Sequence, residues 1–453
     1  MKRLIAFALL ATVSMMLFAD GDAPAVKESS VRIEQDSVSK FVKVSYTLEN
    51  APAIVTVDFL TNGVSIGASN FRSVAGEVNK LVQPGDHEIS WFPGYDWPDR
   101  SIDGLEAAVT AWSTNSPPDY LVACLTGNPN LSPPAPLAAG VRYYVSEDAL
   151  PFENGIADEL CKTDYLVMKK VKAKGITFRM GITAAENGGS ADTSAPTHYA
   201  KLTNDYYLGV YEFTQHQWAN LQSGWARPSY FTNDWRCRPV ECVGGTCVRG
   251  YSDSSKHKVW PRDGHEVNST GADGGKTGLY QIRKVTGLMI DLPTEAQWEF
   301  AARAGSASPM PDGSSVYSST AVLAHGRFPG SPDLPEGVTV DRGTLPSEGG
   351  TAIVGSYAPN AWGFYDMFGN VMELCLDAFG KTYNQSVTHT DPAGLSIEEG
   401  AITKNHVVRG GCWREAGSVA KRKSYNINYI GTGASALKNG AHSLGFRACV
   451  TLP

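Results

Sequence analysis

Asp366 and Glu373 stand on either side of the turn-forming pair Gly369-Asn370, within Asn360-Ala-Trp-Gly-Phe-Tyr-Asp-Met-Phe-Gly-Asn-Val-Met-Glu-Leu-Cys375. Carboxylates bracketing a tight turn are the start of a hard-cation cage, because calcium takes several oxygens from side chains and backbone carbonyls together. The same pair also reads as ordinary ion-paired carboxylates beside a turn, since a metal site normally needs more than two named ligands. Sulfur offers a second chemistry. The chain carries Cys124, Cys161, Cys237, Cys242, Cys247, Cys375, Cys412 and Cys449. An even count in an exported chain points to disulfides, whose pairing sequence does not give. The Cys237, Cys242 and Cys247 spacing is not the paired CxxC pattern of a zinc knuckle. No Gly-x-Ser-x-Gly elbow, phosphate-binding Gly-rich loop or His-Glu-x-x-His helix is present, so those hydrolytic and phosphoryl-transfer chemistries have no carrier.

The elements that must position these groups lie in a chain of 453 residues, too long for one ordinary core and suited to two or three domains. With 46 Gly, 26 Pro and 19% charged residues, it reads as globular and loop-rich. A net charge of −7 without a basic run argues against nucleic-acid binding. Met1-Lys-Arg-Leu4 leads into an apolar run to Phe18 and then Ala19-Asp20. That is the form of a signal peptide over residues 1–19, and the run is too short for a membrane span. The expectation is an exported protein: periplasmic, at the cell surface or released.

Residues 27–125 read as short strands. Val42, Val44, Tyr46 and Leu48 alternate with polar residues, Val55, Val57 and Phe59 repeat the pattern, and Asn62-Gly63 supplies a hairpin turn. An antiparallel β-sandwich of broadly immunoglobulin-like shape is expected. Residues 126–167 form a Pro-rich linker and connector, and 168–453 a second domain with more Trp and Gly. Two helices there have a start signal. Thr294-Glu-Ala-Gln297 and Thr214-Gln-His-Gln217 are capping boxes, followed by Trp298, Ala301, Ala302 and by Trp218, Leu221 on inward faces.

Several segments of the second domain point one way in order: Gly175-Ile-Thr-Phe-Arg-Met-Gly181, Tyr207-Leu-Gly-Val-Tyr-Glu-Phe-Thr214, Leu292-Pro-Thr-Glu-Ala-Gln-Trp-Glu-Phe-Ala-Ala-Arg303, Gly369-Asn-Val-Met-Glu373, Val408-Arg-Gly-Gly411 and Leu444-Gly-Phe-Arg447. Together with the opening stretch they resemble the formylglycine-generating enzyme family, the sulfatase-modifying factors, over residues 168–453. The resemblance implies an α+β, loop-rich fold related to the C-type lectins, and a calcium ringed by Asp366, the Gly369 and Val371 carbonyls, and Glu373. A second family calcium position falls on Ala324-His-Gly-Arg327, where His325 replaces the expected Asn. Active relatives oxidise a sulfatase cysteine to formylglycine with oxygen and copper(I) held by two cysteines, soft thiolates suiting that metal. Counted from Gly410-Gly411, those positions are Glu415 and Ala420 here.

The expected function is therefore an exported, calcium-stabilised scaffold without the copper dithiol. It would bind a peptide, protein or glycan in a groove at Trp413, Arg414 and Glu415, with the sandwich as spacer. The alternatives are an active oxidase with thiols relocated to Cys375 and Cys412, and a structural module of the cell envelope. The ligand, the oligomeric state and the role of the 247–276 insertion have no sequence signal.

Overall fold

The computed structural model describes residues 23–98, 104–126, 140–187, 189, 195–221, 228–249, 277–308, 310, 313, 323–328, 350–379, 385–392, 405–414, 422–426 and 441–453. Residues 1–19, most of the insertion after Cys247, Gly224, Glu415 and Ala420 lie outside them.

The N-terminal body is two antiparallel sheets closed on one core. Strand Val42–Glu49 pairs with Arg32–Gln35 and Gly85–Trp91 in one sheet. Strand Ala53–Thr61 pairs with Val64–Ser65, Lys80–Val82 and Leu105–Trp112 in the other. The period-two pattern holds as read, with Val42, Val44, Tyr46 and Leu48 buried and their neighbours half-exposed. Asn62 and Gly63 both take positive φ (49° and 74°), the geometry a two-residue hairpin turn demands. Between the sheets, Phe59 stacks on Trp91 at 4.5 Å and meets Phe71 edge-on at 5.3 Å.

The second body is a mixed helix and sheet structure, mostly strands with few helices. Its main sheet holds β1 (Tyr120–Cys124), β2 (Val141–Tyr144), β3 (Tyr165–Val171), β4 (Tyr206–Gly209) and a C-terminal strand, Cys449–Thr451, in the order β2-β1-β3-β4-C-terminal. The span read as the end of the sandwich and a connector thus carries two strands of this sheet. Pro118 and Asp119 are bound to it too, the Pro118 carbonyl accepting from Tyr207 Oη and the Asp119 carbonyl from Lys170 N at 2.7 Å. The reason is visible in Tyr120-Leu-Val-Ala-Cys124, which is apolar on both faces and buried throughout; such a run suits a central strand covered on two sides. A second sheet contains β5 (Met372–Ala378) and β6 (Asn405–Arg409), antiparallel, with Leu444–Gly445 parallel to β5.

Both expected helices form: α1 (Gln215–Leu221) and α3 (Glu295–Arg303). In α3, Gln297 N donates to Thr294 Oγ1 at 3.2 Å and Thr294 N donates to Gln297 Oε1 at 2.9 Å. At Thr214 and Gln217 the same reciprocal pair measures 3.2 and 3.0 Å. Between them lies α2 (Gly278–Thr286), which the sequence reading did not place. Its signals were the Thr277 cap, the apolar pair Leu279 and Ile282, and left-handed Gly287. They border the polar insertion, and no capping box marks them.

Candidate functional site

The loop from Asn360 into β5 is buried and polar at once. Gly369 has φ +85°, and a Cβ there would stand 2.4 Å from the Arg327 carbonyl, so only glycine fits. Asn370 follows with φ +53°. Its Oδ1 accepts from Ala352 N at 2.9 Å, its Nδ2 donates to Glu212 Oε2 at 2.7 Å, and its carbonyl accepts from Trp413 N at 2.8 Å. The turn therefore ties three separate segments together, including the one that follows Gly411.

Three buried carboxylates, Asp366, Glu373 and Glu212, feel one another's charge around this turn. Glu373 is forked by Arg447, whose Nη2 donates to Oε1 at 2.6 Å and Nε to Oε2 at 3.0 Å, and Trp298 Nε1 donates to Oε2 at 2.8 Å. Arg447 further donates to the carbonyls of Gly209, Val210 and Tyr365, at 2.9, 2.9 and 2.8 Å. Asp366, with φ +55°, accepts from Gly355 N at 2.6 Å through Oδ2, while its Oδ1 is buried with no hydrogen-bond partner. Glu212 accepts from Val371 N at 3.1 Å and from Asn370. Burial pushes the Asp366 carboxyl up to about 6. It pushes Glu212 well above the usual carboxylate range, with the charges of Asp366 and Glu373 adding to the effect. The Arg447 charge thus acts on all three buried carboxylates, and Lys162 adds to it at Asp366.

A hard cation fits this imbalance. The orphaned Oδ1 of Asp366 lacks a partner, which a buried oxygen rarely does, and a bound cation would favour the ionised form of each acid. The side chains do not make a cage alone: among the described residues, no three His, Cys, Asp or Glu side chains gather as a metal-ligand group. The set expected from Asp366, Gly369, Val371 and Glu373 is a mixed one, in which backbone carbonyls would complete the shell. In it Glu373 would serve the cation while still paired with Arg447, since a carboxylate has about four acceptor directions.

Sequence reasoning missed Glu212 and the role of Arg447. Glu212 had a signal, being the one charged residue in Tyr206-Tyr-Leu-Gly-Val-Tyr-Glu-Phe-Thr214. Arg447 sat in a quoted motif, but its reach to Glu373 is set by the pairing of β5 with Leu444–Gly445, which is long-range.

The thiols are placed differently. All eight cysteines are buried, and Cys124, Cys161, Cys237, Cys242, Cys375 and Cys449 are free, so the expected disulfide framework does not form through them. Cys375 packs in the core around Trp298 and Val407, and Cys412 in the core around Trp218 and Phe446. Burial holds the Cys375 thiol well above its ordinary value, opposite to what a reactive thiolate needs. Copper(I) does not fit these residues as a pair.

Of the expected groove, Trp413 is fully buried, its Nε1 donating to the His442 carbonyl at 3.3 Å and its ring meeting Phe231 edge-on at 5.4 Å. Arg414 is exposed, with Nη1 at 3.5 Å from His442 Nε2. Trp413 is therefore the packed base from which Arg414 projects, and its indole is not open to a ligand. Behind Phe231, Glu241 accepts from Tyr230 N and Phe231 N at 2.7 and 3.0 Å, and from Cys242 Sγ at 2.9 Å. Burial raises Glu241 to about 8.

Residues 162–452 match the sulfatase-modifying factor enzyme 1-like domain. Among curated proteins, the formylglycine-generating enzymes of Thermomonospora curvata and Streptomyces coelicolor are 33% and 35% identical over 127 and 133 residues, 25% and 27% of this chain and 36% and 35% of theirs. A serine/threonine-protein kinase pkn1 of Chlamydia pneumoniae is 33% identical over 191 residues, 40% of this chain and 27% of its own. The chain thus spans about a quarter to a third of the length of these relatives. Among solved structures, PvdO from Pseudomonas aeruginosa is 21% identical with a TM-score of 0.44, covering 63% of this chain and 95% of that one. With the family's ordered motifs in place around the buried carboxylates and the domain match spanning well over half its length, the chain belongs to the sulfatase-modifying factor family.

Proposed function

We propose that this protein is an exported, calcium-stabilised member of the family that binds a peptide, protein or glycan and does not carry out the copper-dependent oxidation. The observation that carries the reading is the residue pair in the dithiol positions, Glu415 and Ala420. Neither supplies a thiolate, and the remaining candidates, Cys375 and Cys412, pack in separate parts of the core. In this reading the cation is held by Asp366, Glu373 and the Gly369 and Val371 carbonyls. Its chemistry is charge neutralisation within a loop framework, and the C-type-lectin-related form of the fold follows from the family. The sandwich, immunoglobulin-like in shape, serves as spacer, and the first nineteen residues direct export. Arg414, projecting beside His442, provides the exposed cation for a ligand. The kinase name of the Chlamydia relative is not carried over, because the shared stretch is 27% of that protein.

The test is incubation of the purified protein with copper, oxygen and a cysteine-containing sulfatase peptide, followed by mass spectrometry. No formylglycine is expected. Its appearance at a rate that tracks protein concentration would overturn the reading, and loss of that rate in Cys412→Ser would place the oxidase at the relocated thiol.

A further inference from the structure

A cleft lies away from the carboxylate cluster, between the sandwich and the segment that follows β2 of the second body. The outward face of strand Ala53–Thr61 and its neighbour Leu105–Trp112 carries Thr56 opposite Thr110 in register, with Asp58 and Trp112 on the same face. A polar sheet face of this kind ordinarily meets water. Here the segment after β2, Val145–Ala149, roofs part of it and leaves a cleft of about 410 Å³, within the ~300–1,000 Å³ of small-ligand sites. The roof is fixed in place, because Tyr143 N donates to the Asn79 carbonyl at 2.7 Å across the junction.

The lining has a definite chemistry. Arg72 is its one cation, and Arg72 Nε is buried with no hydrogen-bond partner. Asp58 also lines the cleft but is engaged by Ser65 Oγ at 2.8 Å, and Asp148 is exposed at the rim. Trp112 is held by its Nε1 donating to Thr56 Oγ1 at 2.8 Å. Hydroxyl and carboxylate groups beside a fixed indole suit a hydroxylated ring with one apolar face. The guanidinium, a planar fork whose Nε lacks a partner, suits a carboxylate. We infer that this cleft is a second binding site, for an acidic sugar: a carboxylate-bearing, polyhydroxylated ring seated against Trp112 with its acid on Arg72. The inference does not depend on the reading of the Arg414 region.

The full-length protein is titrated calorimetrically with D-glucuronate, D-glucose and N-acetyl-dialanine. Glucuronate is expected to bind at least ten-fold more tightly than either. Arg72→Gln should abolish its advantage over glucose, and Arg72→Lys should restore part of it. Equal binding of glucose and glucuronate, equal or better binding of the acidic dipeptide, an unchanged Arg72→Gln, or no glucuronate binding overturns the proposal. Should Arg72→Gln fail to fold, Ser146→Trp tests the same cleft by filling it from the segment after β2. Glucuronate binding that survives this change also overturns the proposal.

Discussion

Single side chains here act through burial more than through exposure. Arg447 faces Glu373 and three carbonyls at near-zero exposure. Removing one partner of such a pair leaves an uncompensated buried charge. Arg447→Met should therefore cost about 3–5 kcal/mol in a denaturant melt, and a change below 1 kcal/mol would contradict the geometry. Glu241 makes a pH prediction. Its folded value of about 8 stands above the ordinary 4.5, so the folded state holds the proton more tightly than the unfolded one. Its contribution to stability is full below pH 4.5 and is lost as pH rises to 8. Glu241→Gln should flatten that part of the curve of melting temperature against pH, and an unchanged slope would assign the decline to other groups. At this scale the sequence was half legible. Asp366 and Glu373 could be named because they flank a turn, but their partners come from positions far away in the chain. Local spacing cannot report a partner that only the folded topology supplies.

Elements were read best where the signal is local. The capping boxes at Thr214 and Thr294 and the alternation at Val42–Leu48 depend on neighbours within a few residues, and all three appear as expected. Thr294→Ala should cost about 1 kcal/mol of stability, measurable as a shifted denaturant midpoint with unchanged slope. Helix α2 escaped notice, yet its first residue is under a tight constraint. A Cβ on Gly278 would stand 2.5 Å from the Trp218 ring of α1. Gly278→Ala should therefore destabilise by about 1–3 kcal/mol through overpacking, despite alanine's better helix propensity. A neutral or stabilising result would show that the two helices can separate at little cost. The strands Tyr120–Cys124 and Val141–Tyr144 were hard to assign for a related reason. A buried apolar run names no partner, and membership in one sheet or another is decided by long-range pairing.

For the whole molecule, the proposed cation neutralises the loop framework at one point. A chelator should lower the melting temperature, because a cation bound only by the folded protein stabilises it by mass action. Asp366→Ala should remove that sensitivity, and persistence of the chelator effect in that variant would move the cation elsewhere. The placement of Tyr120–Cys124 and Val141–Tyr144 has a further consequence for portability. The matched family segment begins at residue 162, but β3 takes ladder bonds on one side from β1. A fragment cut at Lys162 would carry a raw edge along Tyr165–Val171, apolar over Tyr165–Met168 and open to pairing with another copy. A fragment beginning at Ser116 would bring its own border strands. The first should elute as aggregate from a sizing column and the second as a single small species, an outcome that would make the matched segment shorter than the unit that can travel alone.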